Sequence, residues 1–95
     1  MLLIAAAVFT EHVGLDDAAI QQLRMGRKEL RILWKDVHRI VLHKSRKRPK
    51  GAIEVCGPQG KRIIVDPRLA HFDKLEAAIL ERATAFGIEV RNYRE

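Results

Sequence analysis

The amino-acid sequence predicts a mainly β domain with one C-terminal helix. This is an α+β chain folded as a bent antiparallel sheet or a partly open barrel, capped by an amphipathic helix at about 68–86. Three observations carry the prediction. Short runs of alternating or β-branched residues follow one another up to Val65, separated by turn residues. After Asp66-Pro67 the apolar period changes from two to between three and four. Finally, 95 residues suffice for one modest core and not for two, so residues 1–95 form a single domain.

The chain opens on a dense apolar run, Met1 to Phe9, inside an apolar first strand spanning 1–14. This run lacks the basic start of a secretory signal and stops at Thr10-Glu11-His12. A membrane span needs about 20 apolar residues, so the run is expected to be a buried strand or a truncated membrane-proximal start. Val13-Gly14-Leu15-Asp16-Asp17 reads as strand end and turn. Residues 18–24 fit either a strand or a short helix capped by Asp17; the strand is favoured because a hairpin follows at Met25-Gly26-Arg27-Lys28.

From Glu29 to Trp34 the pattern is half-buried, with Leu30, Ile32 and Trp34 on one side and Glu29, Arg31 and Leu33 on the other. Lys35-Asp36 makes a tight bend, and a β-branched run from Val37 to Lys44 forms the next strand. Trp34, at this junction, is expected to lie buried against Phe72, Leu75 and Ile79. Pro49 and Gly51 end a polar loop over 44–51. Ala52 to Cys56 and Lys61 to Val65 make the clearest hairpin, turning through Gly57-Pro58-Gln59-Gly60.

Asp66 is placed as an N-cap and Pro67 at a first helical position. Phe72, Leu75, Ile79, Ala83 and Phe86 form the apolar stripe, with Asp73, Glu76, Glu81 and Arg82 largely elsewhere. Gly87 ends the helix. The C-terminal tail, 88–95, alternates apolar and polar and suits a short edge strand or pairing with a neighbouring copy.

Three stretches of this chain resemble a known family. They are Leu15-Asp16-Asp17-Ala18-Ala19-Ile20, then Ile32-Leu33-Trp34-Lys35-Asp36-Val37, and Gly60 to Val65 followed by Phe72-Asp73-Lys74-Leu75. Together they are similar to the bacterial pleckstrin-homology-like (PH-like) domains over roughly Leu15 to Glu81. The resemblance implies a bent sheet or open barrel plugged by the terminal helix. The family's fold serves lipid binding, peptide binding and oligomerisation, so it does not select one function.

Charge is uneven. Between Arg24 and Lys50 stand eleven Lys/Arg against two acids, whereas the remaining residues carry seven against ten. A basic surface is therefore expected, with anionic partners within its chemistry. Lys44, Arg46, Lys47, Arg48 and Lys50, with Arg27 and Lys28, are the anion- or lipid-binding candidates; the plainer reading of the loop is a solvated turn that keeps a hairpin soluble. Membrane-binding members of the wider superfamily favour basic residues between their first two strands, where this chain has Asp16 and Asp17. That departure weighs against specific phosphoinositide binding. Nucleic acid is disfavoured as a partner, because no aromatic residue lies within the basic loop to stack on bases.

His12, His38, His43 and His71 lack metal-site spacing, and Cys56 between Val55 and Gly57 reads as a packing residue. No catalytic, metal or cofactor site is predicted, and the expected function is a non-enzymatic interaction module that forms a homo-oligomer or binds a protein partner. Weak attraction to an anionic membrane surface is the alternative, and non-specific binding to nucleic-acid phosphates the third. A single cysteine precludes an internal disulfide and fits a reducing, cytoplasmic compartment, with the inner face of the membrane as the alternative place.

Overall fold

A computed structural model describes residues 8–9, 12–24 and 27–94. Strands β1 (Val8–Phe9), β2 (Val13–Leu15), β3 (Ala19–Arg24) and β4 (Arg27–Leu33) form one antiparallel sheet in that order. A second sheet has the order β7-β6-β5-β8, from β5 (Arg39–Leu42), β6 (Ile53–Cys56), β7 (Arg62–Val65) and β8 (Glu89–Asn92). Helix α1 (Phe72–Phe86) lies between β7 and β8 in the chain. The two sheets do not close on each other, so the architecture is a mainly β, open arrangement with one C-terminal helix, as expected.

The apolar N-terminal segment is not one strand. β1 and β2 pair antiparallel, Val8 opposite Leu15 and Phe9 opposite Gly14, and the polar Thr10-Glu11-His12 falls between them in sequence. Residues 1–7 and the Met25-Gly26 turn lie outside the described residues. The ambiguous 18–24 segment is strand β3. It pairs with β2 and β4 and buries Ala19 and Ile20. Gln22 and Leu23 oppose Leu30 and Lys28, leaving Glu29 as the extra residue of a bulge. Gln22 Nε2 (2.9 Å) and Arg24 Nε (3.1 Å) hold the carboxylate of that bulged residue.

Trp34–Asp36 form a single 3₁₀ turn that carries the chain from the first sheet to the second. Trp34 is fully buried in a core shared with Ile20, Ile40, Phe72, Leu75 and Ile79. The corner packs against α1, as the sequence predicts. Two left-handed residues in a row, Gln59 (φ 58°) and Gly60 (φ 76°), close the β6–β7 hairpin, with Lys61 N–H on the Pro58 carbonyl at 3.1 Å. Those dihedrals are those of a two-residue type I′ turn, whose twist matches the strands it joins.

The helix departs from expectation at both ends. It begins at Phe72 rather than near residue 68, and its N-cap is His71 in a left-handed conformation (φ 63°). Asp66 does not cap it. Its carboxylate instead accepts the Arg68 N–H at 2.8 Å in a local turn, and the Leu69 N–H reaches the Asp66 carbonyl at 3.0 Å. That turn satisfies the side chain before the helix starts. At the far end Gly87 adopts the left-handed cap, but Phe86 is 45% exposed and outside the stripe. Glu76 and Arg82 are buried instead, a correction to the predicted polar face. After the cap, the tail runs back along β5 as β8, in parallel, Ile40 opposite Val90.

Candidate functional site

The basic loop joins β5 to β6, and a neck closes its base. His43 N–H donates to the Ala52 carbonyl (2.9 Å) and Gly51 N–H to the His43 carbonyl (3.1 Å). The neck needs glycine, since a Cβ at Gly51 would lie 2.5 Å from the His43 carbonyl oxygen. Inside the loop, Ser45 Oγ accepts the N–H groups of Lys47 (3.3 Å) and Arg48 (3.2 Å).

Arg94, from the tail, locks this neck. Its guanidinium donates to the His43 carbonyl (3.2 Å), the Gly51 carbonyl (2.9 Å) and Glu76 Oε1 (2.6 Å). The other Glu76 oxygen receives Lys50 Nζ at 3.1 Å, and Lys50 also reaches Asp73 at 3.3 Å. Its hydrogen bonds to the carboxylates of Glu76 and then Asp73 hold the Lys50 ammonium above its ordinary pKa. The five loop cations therefore divide. Lys50 is engaged by the helix, whereas Lys44, Arg46, Lys47 and Arg48 are exposed and form no ion pair among the described residues. Beside them lies a shallow recess of about 300 Å³ lined by Arg48, Pro49, Lys50, Pro67, Phe72 and Asp73.

Arg27 and Lys28 do not belong to this loop by topology: their backbone starts β4 in the first sheet. Their side chains lie outside the described residues. The tail does return an exposed aromatic to the neck, for Tyr93 N–H donates to the Leu42 carbonyl at 2.9 Å. Of the other aromatic residues, Trp34 and Phe72 are buried, and the Phe9 side chain is outside the described set.

The polar groups on the outer face of the second sheet form a second cluster. Glu54 accepts from His43 Nε2 (2.9 Å), Arg62 Nη1 (3.2 Å) and the Cys56 thiol (3.7 Å). The His43 contact, followed by that of Arg62, holds the Glu54 carboxyl below its ordinary pKa. Burial, with Glu54 beside it, pushes the Cys56 thiol up. That is the reverse of what an activated nucleophile requires. Among the described residues no group of three His, Cys, Asp or Glu side chains is placed to hold a metal ion.

Sequence reasoning missed Arg94, Glu76 and Arg82. A signal existed for the last two: Glu76 stands four residues after Phe72 and three before Ile79, and Arg82 three after Ile79. Such spacings put both residues beside the stripe. For Arg94 no local pattern points inward, because its partners lie 18 to 51 residues away.

Comparison with protein-family models, with curated proteins and with solved structures returned no match for this chain. No helix of the described residues is long and apolar enough to cross a membrane.

Proposed function

We propose that this chain is a non-enzymatic, PH-like interaction module that associates with a second copy or a protein partner through the free edge of β8. The carrying observation is β8 itself. It is the outermost strand of the second sheet, all four of its residues are exposed, and among the described residues it is paired on one side only, to β5. An edge strand leaves a row of main-chain donors and acceptors open to a further strand. Val90, 37% exposed, sits in register with the fully buried Ile40, so its apolar side chain continues the core face to the rim. Phe86 and Tyr93 add exposed apolar surface just before and after the strand in sequence.

Light scattering across a concentration series tests this reading. A mass rising toward the dimer is expected for the native chain, and Val90→Glu should return it to the monomer. A native chain that stays monomeric at the highest attainable concentration, and that retains no protein partner, removes the proposal.

The exposure of Lys44, Arg46, Lys47 and Arg48 supports a second reading, a peripheral anionic-lipid binder. Each basic residue near an anionic surface contributes about 1 kcal/mol, so four suffice for weak, salt-sensitive attachment. Co-sedimentation with phosphatidylserine vesicles at low salt should be lost when all four become Ser. Binding that survives the change places the lipid contact elsewhere. Nucleic-acid phosphates offer these cations the same charge, and a salt-dependent mobility shift with single-stranded RNA is the separate readout for that third reading.

A further inference from the structure

At the opposite end of β5 and β6 from the basic loop, the β6–β7 hairpin and the start of β5 enclose a recess of about 380 Å³. His38, Arg39, Lys61 and Arg62 line it, with Cys56 and the hairpin glycines, and no carboxylate contributes to its wall. Three permanent cations thus face one small volume. Arg39 Nε is buried and has no hydrogen-bond partner. The same guanidinium interacts with the Cys56 sulfur, but buried donors in folded proteins are nearly always satisfied, so the Nε of an arginine that lines a cationic recess is open to a further acceptor.

The nearby acids do not fill that role. Glu89 stands opposite Arg39 in the β5–β8 register, but its carboxylate is taken by Arg91 Nε at 2.7 Å. Glu54 is held by His43 and Arg62, which also fixes the Arg62 guanidinium at the rim. Neither Arg39 nor Lys61 makes an ion pair among the described residues. The tight turn, closed by the Lys61 N–H on the Pro58 carbonyl, sets the backbone position of Lys61. Apart from Gly60 and its two chain neighbours, no residue comes within 4 Å of where a Gly60 Cβ would stand, so the space over the turn is open.

We infer that this recess is an oxyanion site that takes a phosphomonoester dianion, with Arg39 and Lys61 as its principal donors and His38 and Arg62 at its sides. A carboxylate supplies one negative charge. A phosphate monoester supplies nearly two and three acceptor oxygens, which suits a convergent set of cationic donors better. The source is either free phosphate or a phosphorylated side chain of a partner. This assignment does not depend on association through β8.

Amide NMR titration of the full chain tests it, using inorganic phosphate, a phosphoserine peptide and acetate. Saturable shifts are expected at residues 38–39 and 57–62 with the first two probes and not with acetate. A tighter dissociation constant for the peptide assigns the phosphorylated side chain, and an equal or weaker one assigns free phosphate. Arg39→Met and Lys61→Gln should each weaken binding about tenfold or more, the cost of one charge-assisted hydrogen bond. Converting Arg46, Lys47 and Arg48 to Ser should leave it unchanged. Lys61 is exposed, so Lys61→Gln decides the matter even where Arg39→Met disturbs folding. Shifts that never saturate, that centre on residues 44–50, or whose dissociation constant is unchanged in the Lys61 variant overturn the assignment.

Discussion

The indole N–H of Trp34 donates to the main-chain carbonyl of Asp16 at 2.8 Å, tying the corner between the sheets to the β2–β3 turn. The same carbonyl accepts Arg82 Nε from the helix at 3.3 Å. The Asp16 carboxylate meanwhile receives the N–H groups of Ala18 (2.8 Å) and Ala19 (3.0 Å), which hold its pKa below the ordinary value. One acidic turn thus joins a strand pair, a sheet corner and the terminal helix. In this chain the turn is a structural hub.

Two substitutions separate the ring from its donor. Trp34→Ala removes a fully buried side chain and should cost about 3–5 kcal/mol in urea unfolding. Trp34→Phe keeps most of the apolar ring but not the N–H, and should cost about 1–2 kcal/mol, because Arg82 still reaches the carbonyl. An Ala variant whose midpoint barely moves would contradict the burial described above.

Arg82, which is buried, and Arg94, which is half-buried, should differ in worth. Arg82 is 7% exposed, yet its carboxylate partners Asp17 (2.8 Å) and Glu81 (3.1 Å) are both 69% exposed and can return to water. Arg82→Met should therefore cost only about 1 kcal/mol. Arg94 instead serves Glu76, whose side chain is 12% exposed, and two neck carbonyls. Arg94→Met should cost about 2–3 kcal/mol, with Lys50 limiting the loss by keeping Glu76 partly paired. Equal effects in thermal or urea unfolding would mean that the tail does not lock the loop. Glu76→Gln combined with Arg94→Met should cost less than the two single changes together, since the pair is then removed as a unit.

The division between what the residues announce and what they conceal follows range. Period-two alternation in 52–56 and 61–65 and the stripe from Phe72 to Ala83 are local signals, and the strands and helix they predict are present. Residues 18–24 are ambiguous in sequence because Ile20 and Leu23 share a helical face while their alternation with Gln21 and Arg24 fits a strand only imperfectly; pairing with β2 and β4 decides it, and that is a tertiary fact. Asp66-Pro67 has the composition of a cap, but the Asp66 carboxylate is satisfied by Arg68 in its own turn and the helix begins only at Phe72. The basic loop was legible as a run of cations. That Lys50 differs from the other four depends on Glu76 and Asp73 arriving from the helix, so it could not be read locally. The cationic recess joins residues 38–39 to 60–62 only through strand pairing, and nothing in either short stretch marks it alone.

Gln59 offers a stabilising change. It sits at φ 58°, ψ 33°, a left-handed conformation that costs most L-residues roughly 1–2 kcal/mol. Asn tolerates that region better, and Asn-Gly is the preferred pair for a type I′ turn. Gln59→Asn should raise stability by about 0.5 kcal/mol, read as a higher unfolding midpoint at an unchanged urea slope. Gln59→Val should lower it, because a β-branched side chain is strongly disfavoured at positive φ. A turn that accepts Val as readily as Asn would not have the geometry described.

Acid should destabilise the chain through its bonded carboxylates, and Asp66 isolates one share of the effect. The Arg68 guanidinium, then the Arg68 N–H, pull the Asp66 pKa from 3.8 down to about 2. A carboxyl whose pKa is depressed by folding stabilises the folded state above its unfolded value and loses that contribution as pH falls through the folded one. For Asp66 the window therefore runs from about 3.8 down to about 2. Glu54, whose pKa is depressed by His43 and Arg62, begins its loss below its ordinary 4.5. Asp66 and Arg68 are 39% and 71% exposed, so solvent screening holds the Asp66 share to under about 1 kcal/mol. Asp66→Asn keeps an oxygen for the Arg68 N–H but has no proton to gain in this range. Its stability should fall less steeply than the native chain's between pH 3.8 and 2, while the two curves stay parallel between pH 7 and 4.5. Urea unfolding at stepped pH provides the comparison, and a native curve that rises on acidification would reverse the predicted sign.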